Sequence, residues 1–249
     1  MNTGHGLPEP PGTDGVHGRS EPDGTLVRVF LTGFPAGVLA CNCYVLAPSA
    51  GADAIVVDPG QRAFGPLRRI LDENRLTPAA VLLTHGHIDH IWSAQKVADT
   101  FGCPVFIHSE DRFMLTDPIR GFGPRIGQIA LGALFRAPKQ VVELDGDGEI
   151  LDLGGIGVTV DHTPGHTRGS VVFRVRHHDQ AVAFTGDTLF KQSVGRTDLP
   201  GGSGRDLLTS IVTKLLVLDD DTRVLPGHGE SSTIGFERHA NPFLEGLTL

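Results

Sequence analysis

Three histidines and an aspartate fall within six residues of one another, directly behind an apolar run. Val81-Leu82-Leu83-Thr84 leads straight into His85-Gly86-His87-Ile88-Asp89-His90. The short apolar run reads as a buried strand, and the pattern from Ile91 to Phe101, closed by Gly102, reads as a helix. The cluster therefore sits on a loop that leaves a strand end and enters a helix, where α/β proteins place reactive groups. Gly86 is expected to turn the backbone so that His85 and His87 point the same way, with Asp89 and His90 one turn further on. A single structural zinc site takes fewer ligands and favours cysteine, so the group reads as parts of two adjacent metal sites.

The rest of the chain supplies a scaffold of the same kind. Strands are expected at Leu26–Leu31, Cys43–Leu46, Ala54–Val57, Val105–His108, Ile156–Asp161, Ser170–Val175, Ala181–Thr185 and Thr222–Leu225. Helical periodicity covers Phe64–Arg75 and Arg205–Leu218. Strands alternating with helices predict a layered α/β fold. Residues 1–24, rich in Gly, Pro and acidic side chains, read as a disordered leader, and 25–249 as one folded domain. Residues 111–140 are irregular and Gly-rich, suiting a lid or an inserted helical segment.

Composition narrows the partners. A net charge of −8 over 249 residues argues against a nucleic-acid or anionic-membrane binder, both of which want a basic face. No apolar run reaches the roughly 18 residues that span a bilayer, and the N-terminus has no apolar centre for a secretory signal. Three cysteines cannot form a disulfide framework; Cys41, Cys43 and Cys103 read as small buried hydrophobes. The expectation is a reduced, cytoplasmic protein, monomeric or homodimeric.

Three later positions fit as completing ligands. His166 in His162-Thr163-Pro164-Gly165-His166-Thr167, Asp187 in Thr185-Gly186-Asp187-Thr188, and His228 in Pro226-Gly227-His228-Gly229 each follow a strand and adjoin a glycine. The ordered motifs THGHIDH, HTPGHT, TGD and PGHG resemble those of the metallo-β-lactamase superfamily. VDPG, GDTLF and GRTD make the chain most similar to its glyoxalase II-like thioester hydrolases, over about residue 26 to the C-terminus. The resemblance implies a four-layer αβ/βα sandwich with the metal site at the edge between two mixed sheets. It also implies that His85, His87 and His166 hold one divalent ion and Asp89, His90 and His228 a second, with Asp187 bridging. Asp58 matches a family aspartate that hydrogen-bonds near the metals and would fix the tautomer of a ligand histidine. Asp89 and Asp187 are the carboxylates expected to take part in catalysis.

Two divalent ions sharing a carboxylate can hold a hydroxide between them and stabilise a tetrahedral oxyanion. Zinc is the expected metal, with iron and manganese also suited to this N/O ligand set. A thiol with a pKa near 8.5 leaves as thiolate without a general acid, which favours S-acyl, especially S-(2-hydroxy)acyl, thioesters of a small thiol. Arg196, Arg120 and Arg125 are candidate substrate contacts, with Arg136 and Lys139 beside them in the irregular segment. The principal alternative is a mononuclear iron persulfide dioxygenase using His85, His166 and Asp187. Against it stand the retained His228 and the lack of a cysteine two residues before Arg196. A lactamase, a lactonase and a non-enzymatic metal-binding scaffold are lesser alternatives. Only 21 residues follow His228, so the helical C-terminal segment that supplies glutathione anchors in longer glyoxalase II enzymes is expected to have no counterpart. S-lactoylglutathione is accordingly expected to turn over inefficiently.

Overall fold

A computed structural model of the chain describes residues 29–121, 136–177 and 180–247. The expected leader at 1–24, and Arg125 with the rest of 122–135 in the Gly-rich segment, lie outside the described residues. The first sheet comprises β1 (Phe30–Ala36), β2 (Cys41–Ala47), β3 (Asp53–Val57), β4 (Thr77–Leu82), β5 (Val105–His108) and β6 (Val141–Leu144), in that spatial order. Its first three strands pair antiparallel and the rest parallel, with α1 (Phe64–Asn74) crossing from β3 to β4. The short helix α2 (Ile88–Ile91) and α3 (Ala94–Phe101) cross from β4 to β5. 3₁₀ segments at Ser109–Leu115 and Pro118–Gly121 follow β5.

The second sheet is built from β7 (Glu149–Leu153), β8 (Ile156–His162), β9 (Val171–His177), β10 (Gln180–Gly186), β13 (Arg223–Pro226) and β14 (Ser232–Thr233). Its spatial order is β14-β13-β10-β9-β8-β7, and only β10 and β13 run parallel. A separate two-stranded ladder joins β11 (Leu189–Phe190) to β12 (Ser193–Val194). Helix α4 (Gly204–Ser210) starts at Ser203, whose hydroxyl accepts the Asp206 N–H, and widens into a π turn over Ile211–Leu215. Helix α5 (Ile234–Ala240) follows β14 and is capped in the same way by Thr233.

The strand sequences explain the stacking. Along β2, Val45 packs outward against α1 and α3 while Leu46 packs inward against the second sheet, and Val56 and Val57 divide likewise along β3. In β9, Phe173 joins the apolar layer between the sheets and Val172 the layer under α4. Three apolar layers thus separate four layers of structure: helices, sheet, sheet, helices. Strands buried on both faces must be apolar at nearly every position, which is why Ala54–Val57 and Val171–Phe173 read as continuous runs. Among the described residues no helix is long and apolar enough to cross a membrane.

Several elements differ from the sequence expectation: the strand expected over Leu26–Leu31 lies partly outside the described residues and is seen as β1 from Phe30 to Ala36, and the helix expected over Arg205–Leu218 is α-helical only to Ser210. The helix expected over Ile91–Phe101 is broken at Trp92–Ser93, with α2 before the break and α3 after it. The Ser93 backbone N–H donates to the Pro59 carbonyl and its hydroxyl to the Gly60 carbonyl, so the chain bonds to the neighbouring loop instead of to its own turn. Thr84, expected to end β4, leaves the ladder because its N–H and hydroxyl both donate to the Asp58 carboxylate.

Candidate metal centre

All the candidate ligands gather at one end of the two sheets. His85 and His87 follow β4, Asp89 and His90 lie on α2, and His166 stands in the loop between β8 and β9. Asp187 follows β10 and His228 follows β13. His87 Nδ1 lies 3.1 Å from His85 Nε2 and 2.8 Å from His166 Nε2, so three ring nitrogens converge. A second group forms beside them: His228 Nε2 is 3.3 Å from His90 Nε2 and 3.2 Å from Asp89 Oδ2. The Asp187 carboxylate stands between the groups. Its Oδ2 is 3.5 Å from His166 Nε2 and 3.7 Å from His228 Nε2, and its Oδ1 is 3.4 Å from His90 Nε2.

Three of the five rings are held from outside by an acceptor. His90 Nδ1–H donates to Asp58 Oδ2 at 2.9 Å, His166 Nδ1–H to the Arg196 carbonyl at 2.7 Å, and His228 Nδ1–H to the Leu39 carbonyl at 2.9 Å. Each bond fixes the tautomer and leaves the Nε2 lone pair aimed inward. Asp58 is itself buried and adopts φ 46°, a conformation rare outside glycine but tolerated by Asp and Asn. It holds His90 and Thr84 together from one carboxylate.

These residues fit a pair of cations. Four donors about 2.0–2.2 Å from a tetrahedral zinc stand about 3.3–3.6 Å apart, and the donor separations of 2.8–3.3 Å within each group lie at or slightly inside that range. Asp187 Oδ1 is a buried carboxylate oxygen with no hydrogen-bond partner among the described residues, a costly state unless a cation faces it. Burial, reinforced by His90, His166 and their neighbours, holds the His85 imidazole well below its usual pKa. Burial and His166 likewise push His87 down to about 3, so both offer neutral nitrogens. For Asp187, burial opposes the charge, but His90, His166 and His228 outweigh it and hold the carboxyl well below the usual range. Asp89 is lowered too, because contact with His228 and His90 outweighs its burial. His90 and His228 shift the other way. Burial disfavours their charge, yet Cys41, Asp187 and Asp58 raise His90, while Asp89 and Asp187 raise His228.

Space at the centre is set by glycine. A Cβ on Gly227 would stand 2.4 Å from Asp187 Oδ1 and 2.6 Å from His90 Cε1, so no side chain fits before His228. Gly86, on the loop between His85 and His87, does not adopt a positive φ. Its need for a bare Cα comes from Met114, whose side-chain atoms would lie 2.7 and 2.9 Å from a Cβ there.

Asp111 is the residue that the sequence did not signal. Buried in the 3₁₀ segment after β5, it accepts the Gly86 N–H at 2.9 Å and the Thr167 hydroxyl at 2.6 Å through Oδ2, and the Gly169 N–H at 3.0 Å through Oδ1. One carboxylate thus ties the loop of His85 and His87 to the loop of His166. Burial raises its pKa despite these donors. Asn42 and Tyr44 act similarly on the other side. The Asn42 amide donates to the Pro226 and Gly229 carbonyls, and the Tyr44 hydroxyl to the Pro226 carbonyl at 2.7 Å. Cys41 also belongs here rather than in the apolar core: its thiol neighbours His90 and His228. Burial, against the opposing pull of His90, pushes that thiol up to about 11.

The arginines are placed otherwise. The Arg196 guanidinium forms a two-bond pair with Asp198, both exposed, while its carbonyl positions His166. Arg120 is exposed and lies over the Phe113 ring, 4.8 Å from its centroid. Arg136 is also exposed.

Comparison with known proteins points the same way. A family model described as the metallo-beta-lactamase superfamily matches residues 36–228. An uncharacterized protein of Mycobacterium tuberculosis is 73% identical over 223 residues, covering 88% of this chain and 100% of its own. A protein of Haemophilus influenzae named hydroxyacylglutathione hydrolase GloC is 40% identical over 197 residues, covering 77% of this chain and 87% of its own. Among solved structures, the BLEG-1 B3 metallo-beta-lactamase superposes with a TM-score of 0.76 at 39% identity, over 87% of this chain and all of that one. TTHA1623 in a di-iron-bound form superposes with a TM-score of 0.70 at 33% identity, over 86% of this chain and all of that one.

Proposed function

Because this chain belongs to the metallo-β-lactamase superfamily, whose members typically hold two metal ions, we propose that it is a binuclear hydrolase of S-acyl thioesters of a small thiol. The observation that carries this reading is Asp187, whose two oxygens face His90 on one side and His166 and His228 on the other. His85, His87 and His166 would hold one ion, Asp89, His90 and His228 the other, and Asp187 would serve both. When bound, such a pair supplies a water acidic enough to ionise near neutral pH and a Lewis acid for the acyl carbonyl.

The chain's own residues argue for the leaving group. Asp89 and Asp187 are both held below the usual carboxylate range, so at neutral pH neither has a proton to donate. An amide nitrogen must be protonated to leave, whereas a thiol of ordinary pKa near 8.5 departs as thiolate. The site is therefore matched to a thioester. The 40% identity to a named hydroxyacylglutathione hydrolase supports the same class. A β-lactam is the second reading, favoured by the 39% identity to BLEG-1.

One experiment separates these readings: metal analysis with a panel of S-lactoylglutathione, thioesters of other small thiols, β-lactams, and glutathione persulfide in an oxygen electrode. Two metals per chain with thioester turnover and no oxygen uptake is the expected result. One metal per chain with persulfide-driven oxygen consumption, or β-lactam turnover above that of every thioester, would overturn it.

A further inference from the structure

We propose that Cys41 is an alternative ligand at the second metal position, so that thiophilic ions are held there by Cys41, His90 and His228 and harder ions by Asp89, His90 and His228. The proposal rests on the reading of this cluster as a metal centre. Its geometric basis is that Cys41 Sγ and one nitrogen each of His90 and His228 all lie within 4.8 Å of one another. Cys41 is fully buried, at 0% exposure, and forms an isolated antiparallel bridge with His228 across the two sheets. Its polypeptide is fixed beside the site from both sides, because the Asn42 N–H donates to the Gly227 carbonyl at 2.7 Å and the Asn42 amide to Pro226 and Gly229.

The chemistry of the position is two-faced. Asp89, whose side chain keeps 13% of its exposure, offers a hard oxygen toward solvent, 3.2 Å from His228 Nε2. Cys41 offers a soft sulfur from the buried side of the same two histidines. Among the described residues, the thiol's one hydrogen bond apart from the histidines is a 3.9 Å approach to its neighbour's carbonyl, so coordination displaces no strong bond. As the metal–sulfur bond forms, the thiol proton passes to solvent, and oxidation states do not change. Thiolates select zinc, cadmium and cobalt over magnesium and manganese, which carboxylates serve better. The histidines being shared, the choice between Cys41 and Asp89 would follow the ion.

The test is spectroscopic and does not depend on turnover. Full-length protein is stripped, loaded with two equivalents of cobalt(II), and examined for a sulfur-to-cobalt charge-transfer band in the near ultraviolet. We expect the band in the wild type, its loss in Cys41→Ser, and its survival in Asp89→Asn and Cys43→Ala. Zinc affinity in a chelator competition should fall at least about tenfold in Cys41→Ser while manganese affinity stays within twofold. Cadmium NMR of the unmutated protein gives the same answer should Cys41→Ser fail to fold: one of two resonances should carry the downfield shift of a sulfur ligand. Two bound cobalt ions without the band, or a band that survives in Cys41→Ser, would overturn the assignment and leave the metal centre intact. Failure to bind cobalt at all would overturn both.

Discussion

Asp58 Oδ2 stands 2.9 Å from Nδ1 of His90, and both side chains are shut away from solvent. The same carboxylate takes the N–H and hydroxyl of Thr84, the residue before His85. One buried charge therefore sets the direction of a histidine on α2 and the start of the loop that carries His85 and His87. Asp58→Asn tests this cleanly, since asparagine tolerates φ 46° nearly as well as aspartate. It should preserve the fold and weaken the second metal position by about 10- to 100-fold, read by chelator competition. Unchanged affinity for both ions would show that the orientation of His90 is set elsewhere.

Asp187→Asn nearly preserves shape and removes the charge shared by the two groups. Thioester turnover should fall at least about a hundredfold, with metal content dropping below two per chain. Full activity with a single retained metal would sink the binuclear reading.

Asp111→Ala strips the acceptor from three buried donors: the N–H groups of Gly86 and Gly169 and the hydroxyl of Thr167. The Thr167 hydroxyl can turn to Ser170 Oγ, 2.8 Å away, but the two N–H groups are left unsatisfied at about 1–3 kcal/mol each, so the free energy of unfolding should fall by about 2 kcal/mol or more. Urea titration monitored by circular dichroism measures it. A loss under about 1 kcal/mol would mean that water replaces the carboxylate.

Acidification should empty the centre in two steps. Protons and metals compete for the same nitrogens, so a ligand with a raised pKa loses its ion at higher pH. His90 and His228 are raised above the usual imidazole value of about 6.5, while His85 is lowered well below it and His87 lies at about 3. The Asp89–His90–His228 position should therefore empty first, at the higher pH of the two steps. The His85–His87–His166 position should hold its ion well below that. Metal content after dialysis across a pH series gives the order, and simultaneous loss of both ions would contradict it.

The sequence revealed the centre more fully than the framework that holds it. His85, His87, Asp89 and His90 announce themselves because ligand chemistry is packed into six consecutive positions behind an apolar strand. Strands β3, β5 and β10 were legible because burial on both faces forces continuous apolar runs, and β8 because its buried Ile156, Val158 and Val160 alternate with more exposed residues. The edge strand β7 and the two-residue β14 were not, since partly exposed residues such as Glu149, Ile150 and Ser232 carry no such constraint. The break between α2 and α3 was hidden because the Ser93 bonds that cause it run to Pro59 and Gly60, far back in the chain. Asp111 is one acidic residue in an irregular segment, and only the folded chain brings Gly86, Thr167 and Gly169 around it. The role of Cys41 was invisible for a related reason: a small residue on an apolar strand looks alike whether it fills the core or faces a histidine on the opposite sheet.

The bond from the Asn42 backbone to Gly227, and those from its amide and the Tyr44 hydroxyl to Pro226, make the second strand of the chain a latch on its last ligand loop. His90 and His228, which that latch brings together, are 138 residues apart. An ion held by both closes a loop spanning more than half of the molecule, and closing so long a loop restricts the unfolded chain as a disulfide would, by about 4–5 kcal/mol in the chain-entropy picture. The centre is then a cross-link as well as a reaction site. Chelation should lower the melting temperature by many degrees before any substrate is added, and nascent chains released before His228 should lack the clamp that pins one half of the protein to the other.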